Sequence, residues 1–215
     1  MLIDSKADVN AYGGRYGNAL QAASVGGCDQ IVQRLLEKGA DVNAQGGRYG
    51  NALQAASAEG HDQIVQRLLE RGADINAHGG RYDNALQAAS ARGHDQIVCR
   101  LLGKGADVNT QGGRYGNALQ AASAGGHDQI VRRLLEKGAD VNAQGGEHGS
   151  ALQAASARGC DQIFQRLLEK GADINAQGGW HGSALQVASA RGHDQIVQQL
   201  LEKGANVNLQ GGKYG

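Results

Sequence analysis

Glu147, His148, Cys160 and His181 bring an acid, two imidazoles and a thiol into one stretch of the sequence. A thiol with a histidine base and an orienting carboxylate is a known route to covalent catalysis. His61, His94, His127 and His193 are, by type, zinc ligands. The phrase "QGGRYGNALQAAS", at 45–57 and unchanged at 111–123, offers glycines ahead of a helix start, where an anion could sit. Its Arg-Tyr pairs (Arg15-Tyr16, Arg48-Tyr49, Arg81-Tyr82 and Arg114-Tyr115) make a basic, stacking-capable stripe of the kind single-strand binders use.

The elements that carry these residues repeat. "GAD" or "GAN" begins at Gly39, Gly72, Gly105, Gly138, Gly171 and Gly204, always 33 residues apart, with Lys6-Ala7-Asp8 in the same phase one period earlier. A period of this length signals a solenoid. In the unit from Gly39 to Arg71, Asn51 is a helix N-cap and "NALQAASAEG" a short helix ended by Gly60. Ser150 and Ser183 keep the capping chemistry in later units. "HDQIVQRLLERG" predicts a second helix with Ile64, Val65, Leu68 and Leu69 on one stripe. Asp62 suits its positive end, Arg67 and Arg71 its negative end, and Gly72 is the expected residue past its C-terminus. "ADINAHGGRYDN" is too glycine-rich for a helix, and its double glycine permits a tight hairpin-like reversal. The fold expected is therefore an all-α repeat solenoid of helix-turn-helix pairs with protruding fingers. It forms a single array over residues 1–215, with six complete units and partial units at both ends.

Repetition limits the chemistry. Packed helices lie about 8–10 Å apart, so equivalent histidines in successive units cannot converge on a zinc ion that holds its nitrogen ligands at about 2.0–2.1 Å. No Lys-Ser/Thr follows the glycines as a P-loop requires, and seven copies favour a structural turn. Fingers imply no enclosed pocket around Glu147, His148 and Cys160, and no third orienting group is evident. An enzyme is not expected, nor a cofactor or metal.

Composition narrows the partners. Lys plus Arg and Asp plus Glu both number 21, so no net field draws the chain to nucleic acid or an anionic membrane. The Arg stripe also ends at Glu147. No apolar run is long enough to span a bilayer, and "MLIDSKADVN" lacks the shape of a signal peptide. Three cysteines argue against a disulfide framework and fit a reducing, cytoplasmic setting. Proline is absent and aromatics are few, so Ala, Leu, Ile and Val must form the core.

At this period, "GHDQIVRRLLEKGADVNA" resembles the second-helix half of the ankyrin repeat. The first half departs from it: "NALQ" or "SALQ" stands where that family usually has Thr-Pro-Leu-His, so its proline and histidine network is lost. The "GG-x-Y-G-NALQAAS" wording is similar to arrays in fungal NOD-like receptors, where near-identical repeats act as a sensing surface, and also to consensus arrays of human design. In the ankyrin family the histidine before the second helix helps fix the inter-helix turn. Finger and first-helix positions line a concave binding face. The resemblance thus implies a non-enzymatic module for protein–protein recognition.

Differences between copies fall on that face. The position after the double glycine reads Arg15, Arg48, Arg81, Arg114, Glu147, Trp180 and Lys213; the next reads Tyr16, Tyr49, Tyr82, Tyr115, His148, His181 and Tyr214. Near the first-helix end stand Gly26, Glu59, Arg92, Gly125, Arg158 and Arg191. The expected contact residues are the Arg-Tyr pairs of the first four fingers together with Glu147, His148, Arg158, Trp180, His181 and Arg191. Trp, Tyr and Arg dominate interface hot spots, and the arginines favour an acidic partner. The alternative is a scaffold without a specific ligand. "MLIDSKADVN" aligns with "RLLEKGADVN" and the last residues are "GGKYG", so both ends fall inside a unit without polar caps. An excerpt of a longer array, or self-association through raw ends, is the expectation there.

Overall fold

The computed structural model describes residues 8–212, so Lys213 and Tyr214 lie outside the described residues. It divides into two compact units, Met1–Asp107 and Val108–Gly215. The first holds α1 (Ala19–Val25), α2 (Asp29–Glu37), α3 (Ala52–Glu59), α4 (Asp62–Glu70), α5 (Ala85–Arg92) and α6 (Asp95–Gly103). The second holds α7 (Ala118–Gly125), α8 (Asp128–Glu136), α9 (Ala151–Arg158), α10 (Asp161–Glu169), α11 (Ala184–Arg191) and α12 (Asp194–Glu202). Among the described residues there is no strand, and the expected all-α helix-turn-helix solenoid is what each unit contains.

Odd-numbered helices form the inner layer. In the first unit α3 packs between α1 and α5, and in the second α9 packs between α7 and α11. Alanine makes this close contact feasible: Ala55, Ala56 and Ala58 are wholly buried, with Leu53 beside them. Each even-numbered helix lies on its partner through one stripe. Ile64, Val65 and Leu68 are buried on α4, whereas Leu69, expected on the stripe, is only half-buried.

The caps follow local chemistry. The Asn51 side chain accepts from the Gln54 backbone N–H and Ser150 from that of Gln153, closing the first turns of α3 and α9. Gly60 ends α3 at φ 83°. Past α4, the Ala73 N–H returns to the Leu68 carbonyl at 2.9 Å, so Gly72 closes the helix as expected.

A buried glutamine replaces the missing histidine network. Gln54 is 1 % exposed. Its Oε1 accepts from the Asn51 N–H at 3.0 Å, and its Nε2 donates to the carbonyls of Ala77 and Asp83 at 2.8 and 2.7 Å. In the second unit Gln120 donates to Ala143 and Gly149, and Gln153 to Gly178 and Gly182. Helices α3, α7 and α9 thereby each hold both flanks of the following finger.

The fingers are the expected hairpin-like reversals, each closed by an antiparallel bridge such as Gly46–Gly50 or Gly145–Gly149. Successive fingers are joined by backbone: Arg48 N–H donates to Arg15 O and Arg81 N–H to Arg48 O, at 3.1 and 3.0 Å. In the second unit Glu147 N–H donates to Arg114 O and Trp180 N–H to Glu147 O, both at 2.9 Å. This approach explains the second glycine of each pair. Gly47 has φ 64°, and a Cβ on it would lie 2.4 Å from the Tyr16 carbonyl carbon; for Gly146 the values are 62° and 2.3 Å from that of Tyr115.

Two side-chain ladders bind neighbouring pairs elsewhere. Asn43 donates to Gly72 O and accepts from Asp74 N–H, and Asn142 repeats this with Gly171 and Asp173. On the outer helices Arg67 grips Asp29 with two bonds of 2.9 and 2.8 Å, Arg100 grips Asp62, and Arg166 grips Asp128. Arg67 thus serves a neighbouring helix besides the end of its own. Gln199 stands where the next arginine of this ladder would be, and Asp161 Oδ1 is buried without a partner. Gln199→Arg should complete that bidentate pair and raise stability by roughly 0.5–1 kcal/mol. An unchanged urea midpoint would contradict this account of the ladder.

Candidate binding surface

In the first unit the finger side chains grade from exposed to buried. Arg15 and Arg48 are exposed and Arg81 half-buried, while Tyr16 is 41 % exposed, Tyr49 half-buried and Tyr82 only 6 % exposed. The fold withdraws the Tyr82 ring from solvent, so it offers no face to a partner. Arg48 lies over the Tyr49 ring at 6.0 Å and Arg81 over Tyr82 at 5.7 Å, which steadies both guanidiniums. Tyr12 is 68 % exposed. Its hydroxyl accepts from Gly47 N–H at 3.3 Å.

Tyr49 also reaches the end of α3. Its hydroxyl donates to Glu59 Oε1 at 2.6 Å, and Arg92 Nη2 lies 3.7 Å from Glu59 Oε2. Burial first, and then the Glu59 carboxylate, pushes the Tyr49 phenol above its ordinary 10.0, against a smaller opposing effect of Arg48. Glu59 and Arg92 stood outside the expected contact set. Their variation at the first-helix end was the available signal. In the third finger His78 Nδ1 is paired with Asp83 Oδ2 at 2.9 Å, and Asp83 is the one non-glycine at positive φ (76°) among the described residues.

The second unit carries different chemistry on the same columns. Arg114 Nε meets Glu147 Oε2 at 2.6 Å, so Glu147 engages the preceding finger's arginine rather than merely ending a basic stripe. Tyr115 and His181 are half-buried, Arg158 and Arg191 exposed, and Trp180 is 56 % exposed at its fingertip. His148 Nδ1 is buried with no hydrogen-bond partner. Burial pushes this imidazole below its ordinary 6.5; Glu147 pulls it up, and His181, Arg114 and Arg191 push it down. Arg158 lies beside Cys160 and favours its thiolate, yet burial dominates and raises that thiol above its ordinary 9.0. Cys160 is therefore held as a thiol, the weaker nucleophile.

The histidines before the outer helices have structural partners. His61 Nε2 lies 3.0 Å from Val25 O, His94 3.1 Å from Ala58 O, and His193 3.2 Å from Ala157 O. Among the described residues no group of three or more His, Cys, Asp or Glu is placed to hold a metal ion. No described helix is long and apolar enough to cross a membrane.

A family model described as "Ankyrin repeats (3 copies)" matches residues 1–79, 85–178 and 147–211. No curated protein matches the chain.

The phenol of Tyr49 stabilises the fold below its ordinary value of 10.0, and that contribution is lost as pH rises through its raised value. Glu59→Gln should lower the ionisation point of one tyrosine, read by the tyrosinate absorbance of the folded protein. Identical titration curves would remove the Tyr49–Glu59 bond from the account.

Proposed function

We propose that this chain, which belongs to the ankyrin repeat family, is a non-enzymatic protein-binding module. Residues 1–215 serve as one array, and the fingertips and first-helix ends make the contact. The observation that carries this reading is Trp180, the sole tryptophan, 56 % exposed on a finger whose backbone is tied to its neighbour. A large ring on a rigid support loses little entropy when it is buried, which suits an anchor.

Around it the copies differ in charge and shape, while the positions that build the stack stay uniform. The Arg15 and Arg48 guanidiniums at the first fingers favour an acidic partner. The three cysteines, sparse and odd in number, suit the reducing cytoplasm. A sensing surface like that of fungal NOD-like receptors agrees with this pattern.

A scaffold of designed or end-to-end associating type is the second reading. What favours it is the near-identity of the copies, with "QGGRYGNALQAAS" unchanged at 45–57 and 111–123.

The test is calorimetry with a partner selected on the immobilised protein. Trp180→Ala should weaken binding about 30-fold, or ~2 kcal/mol, and Arg48→Ala by a smaller factor. Gln66→Ala, on the exposed outer-helix face, should leave it within about twofold. Equal affinity for Trp180→Ala and the parent would overturn the map, and concentration-dependent growth without any partner would favour the scaffold.

A further inference from the structure

The Asp–Arg ladder of the outer helices breaks at one rung of the second unit. Asp29, Asp62 and Asp128 each receive two bonds, of 2.7 to 3.1 Å, from an arginine 38 residues on. Asp161 has Gln199 at that spacing. The Gln199 side chain is turned to Gln165, one turn further along α10, and accepts from its Nε2 at 2.5 Å. Asp161 Oδ1 is left buried without a partner. Asp161 as a residue is half-buried and lines two open spaces. One is a cavity of about 220 Å³ shared with Gly159, Gly192, His193 and Asp194, and the other a groove of about 500 Å³ along α10 with Gln162, Gln165, Arg166 and Glu169. Three carboxylates thus line these spaces, whereas the Arg166 guanidinium is already held by Asp128 with two bonds. The first unit supplies the contrast. Its equivalent cavity, of about 230 Å³, is lined by Asp29 and Asp62, and both have their arginine.

We infer that Asp161 is a docking point for an arginine side chain of a protein partner, which takes on the outer helices the place that Arg67, Arg100 and Arg166 fill at the other rungs. The three built pairs define the chemistry: a planar guanidinium giving two parallel bonds to one carboxylate. An ammonium carries comparable charge but lacks that fork. The last torsion of an aspartate is broad, so a small rotation presents both oxygens to the incoming group. A carboxylate oxygen that is buried without a donor has lost its hydration for nothing, so a donor gains more there than at an exposed acid. Within the chain the helix that should supply the arginine supplies a glutamine, and the donor must come from another molecule. No finger residue lines either space, so this contact is separate from the one proposed for the fingertips and does not depend on it.

The test uses the arginine side chain as a protein presents it. N-acetylarginine amide is titrated into the full chain at constant ionic strength, and the backbone amides of Asp161, Gln162 and Asp194 and the side-chain amide of Gln199 are followed by NMR. These should shift saturably with half-saturation at about 1–10 mM, while the amides of Asp29 and Asp62 stay still. N-acetyllysine amide should bind about fivefold more weakly. Asp161→Asn keeps the shape of the side chain and should weaken the response about tenfold. Gln199→Arg fills the rung from α12 and should abolish it. Shifts at Asp161 no larger than at Asp29, an equal response to the lysine compound, or a response that survives Gln199→Arg would overturn the inference.

Discussion

A buried amide with two carbonyls to satisfy holds this protein together. Gln54 and its equivalents Gln120 and Gln153 sit on inner helices made almost wholly of small apolar residues, and each donates to both flanks of the next finger. In water such bonds would be exchanged at little net gain, about 0.5–1.5 kcal/mol each, but leaving one of these groups unpaired in the interior costs roughly 1–3 kcal/mol. The amide therefore specifies more than it stabilises. It fixes where a finger leaves the helix layer, and through the Asn51 cap it couples that exit to the first turn of the helix itself.

Display follows from that anchorage. With both flanks fixed, neighbouring fingers meet through their backbones, and each double glycine admits the carbonyl of the finger before it. The fingertip bonds use main-chain atoms, so the side chain after the double glycine can change from Arg114 to Glu147 to Trp180 without altering the support. The scaffold and the displayed chemistry are separable, as a recognition surface requires. The outer helices contribute the Asp–Arg ladder, whose half-exposed pairs add little energy each but favour one register of neighbouring pairs.

The elements that read clearly in the sequence are those set by near neighbours along the chain. The Asn51 and Ser150 caps, the Gly60 stop, the buried alanines and the hairpin-like fingers all express spacings of a few residues or a fixed period. The interactions that escaped it join residues in different repeats. Gln54 looks like a polar filler among alanines until Ala77 and Asp83 are brought beside it. Arg67 reads as a complement to its own helix end, because Asp29 lies 38 residues away. Tyr82 has the same "GGRY" surroundings as Tyr49, with His78 and Asp83 in place of Gln45 and Gly50, yet it is buried where Tyr49 is half-buried. Glu147 read as an interruption of an arginine column, although that position faces the arginine before it.

Amide hydrogen exchange on Gln153→Leu tests the role of the glutamine most directly. Leucine keeps the volume and the apolar contacts but removes the donor to Gly178 and Gly182. The Gly178 amide, bonded to Gly182 O, and the Trp180 amide, bonded to Glu147 O, should both exchange at least about tenfold faster. The amides of α7 should keep their protection. Unchanged exchange at Gly178 and Trp180 would mean that the fingers stand without the glutamine, and the account built on it would be wrong.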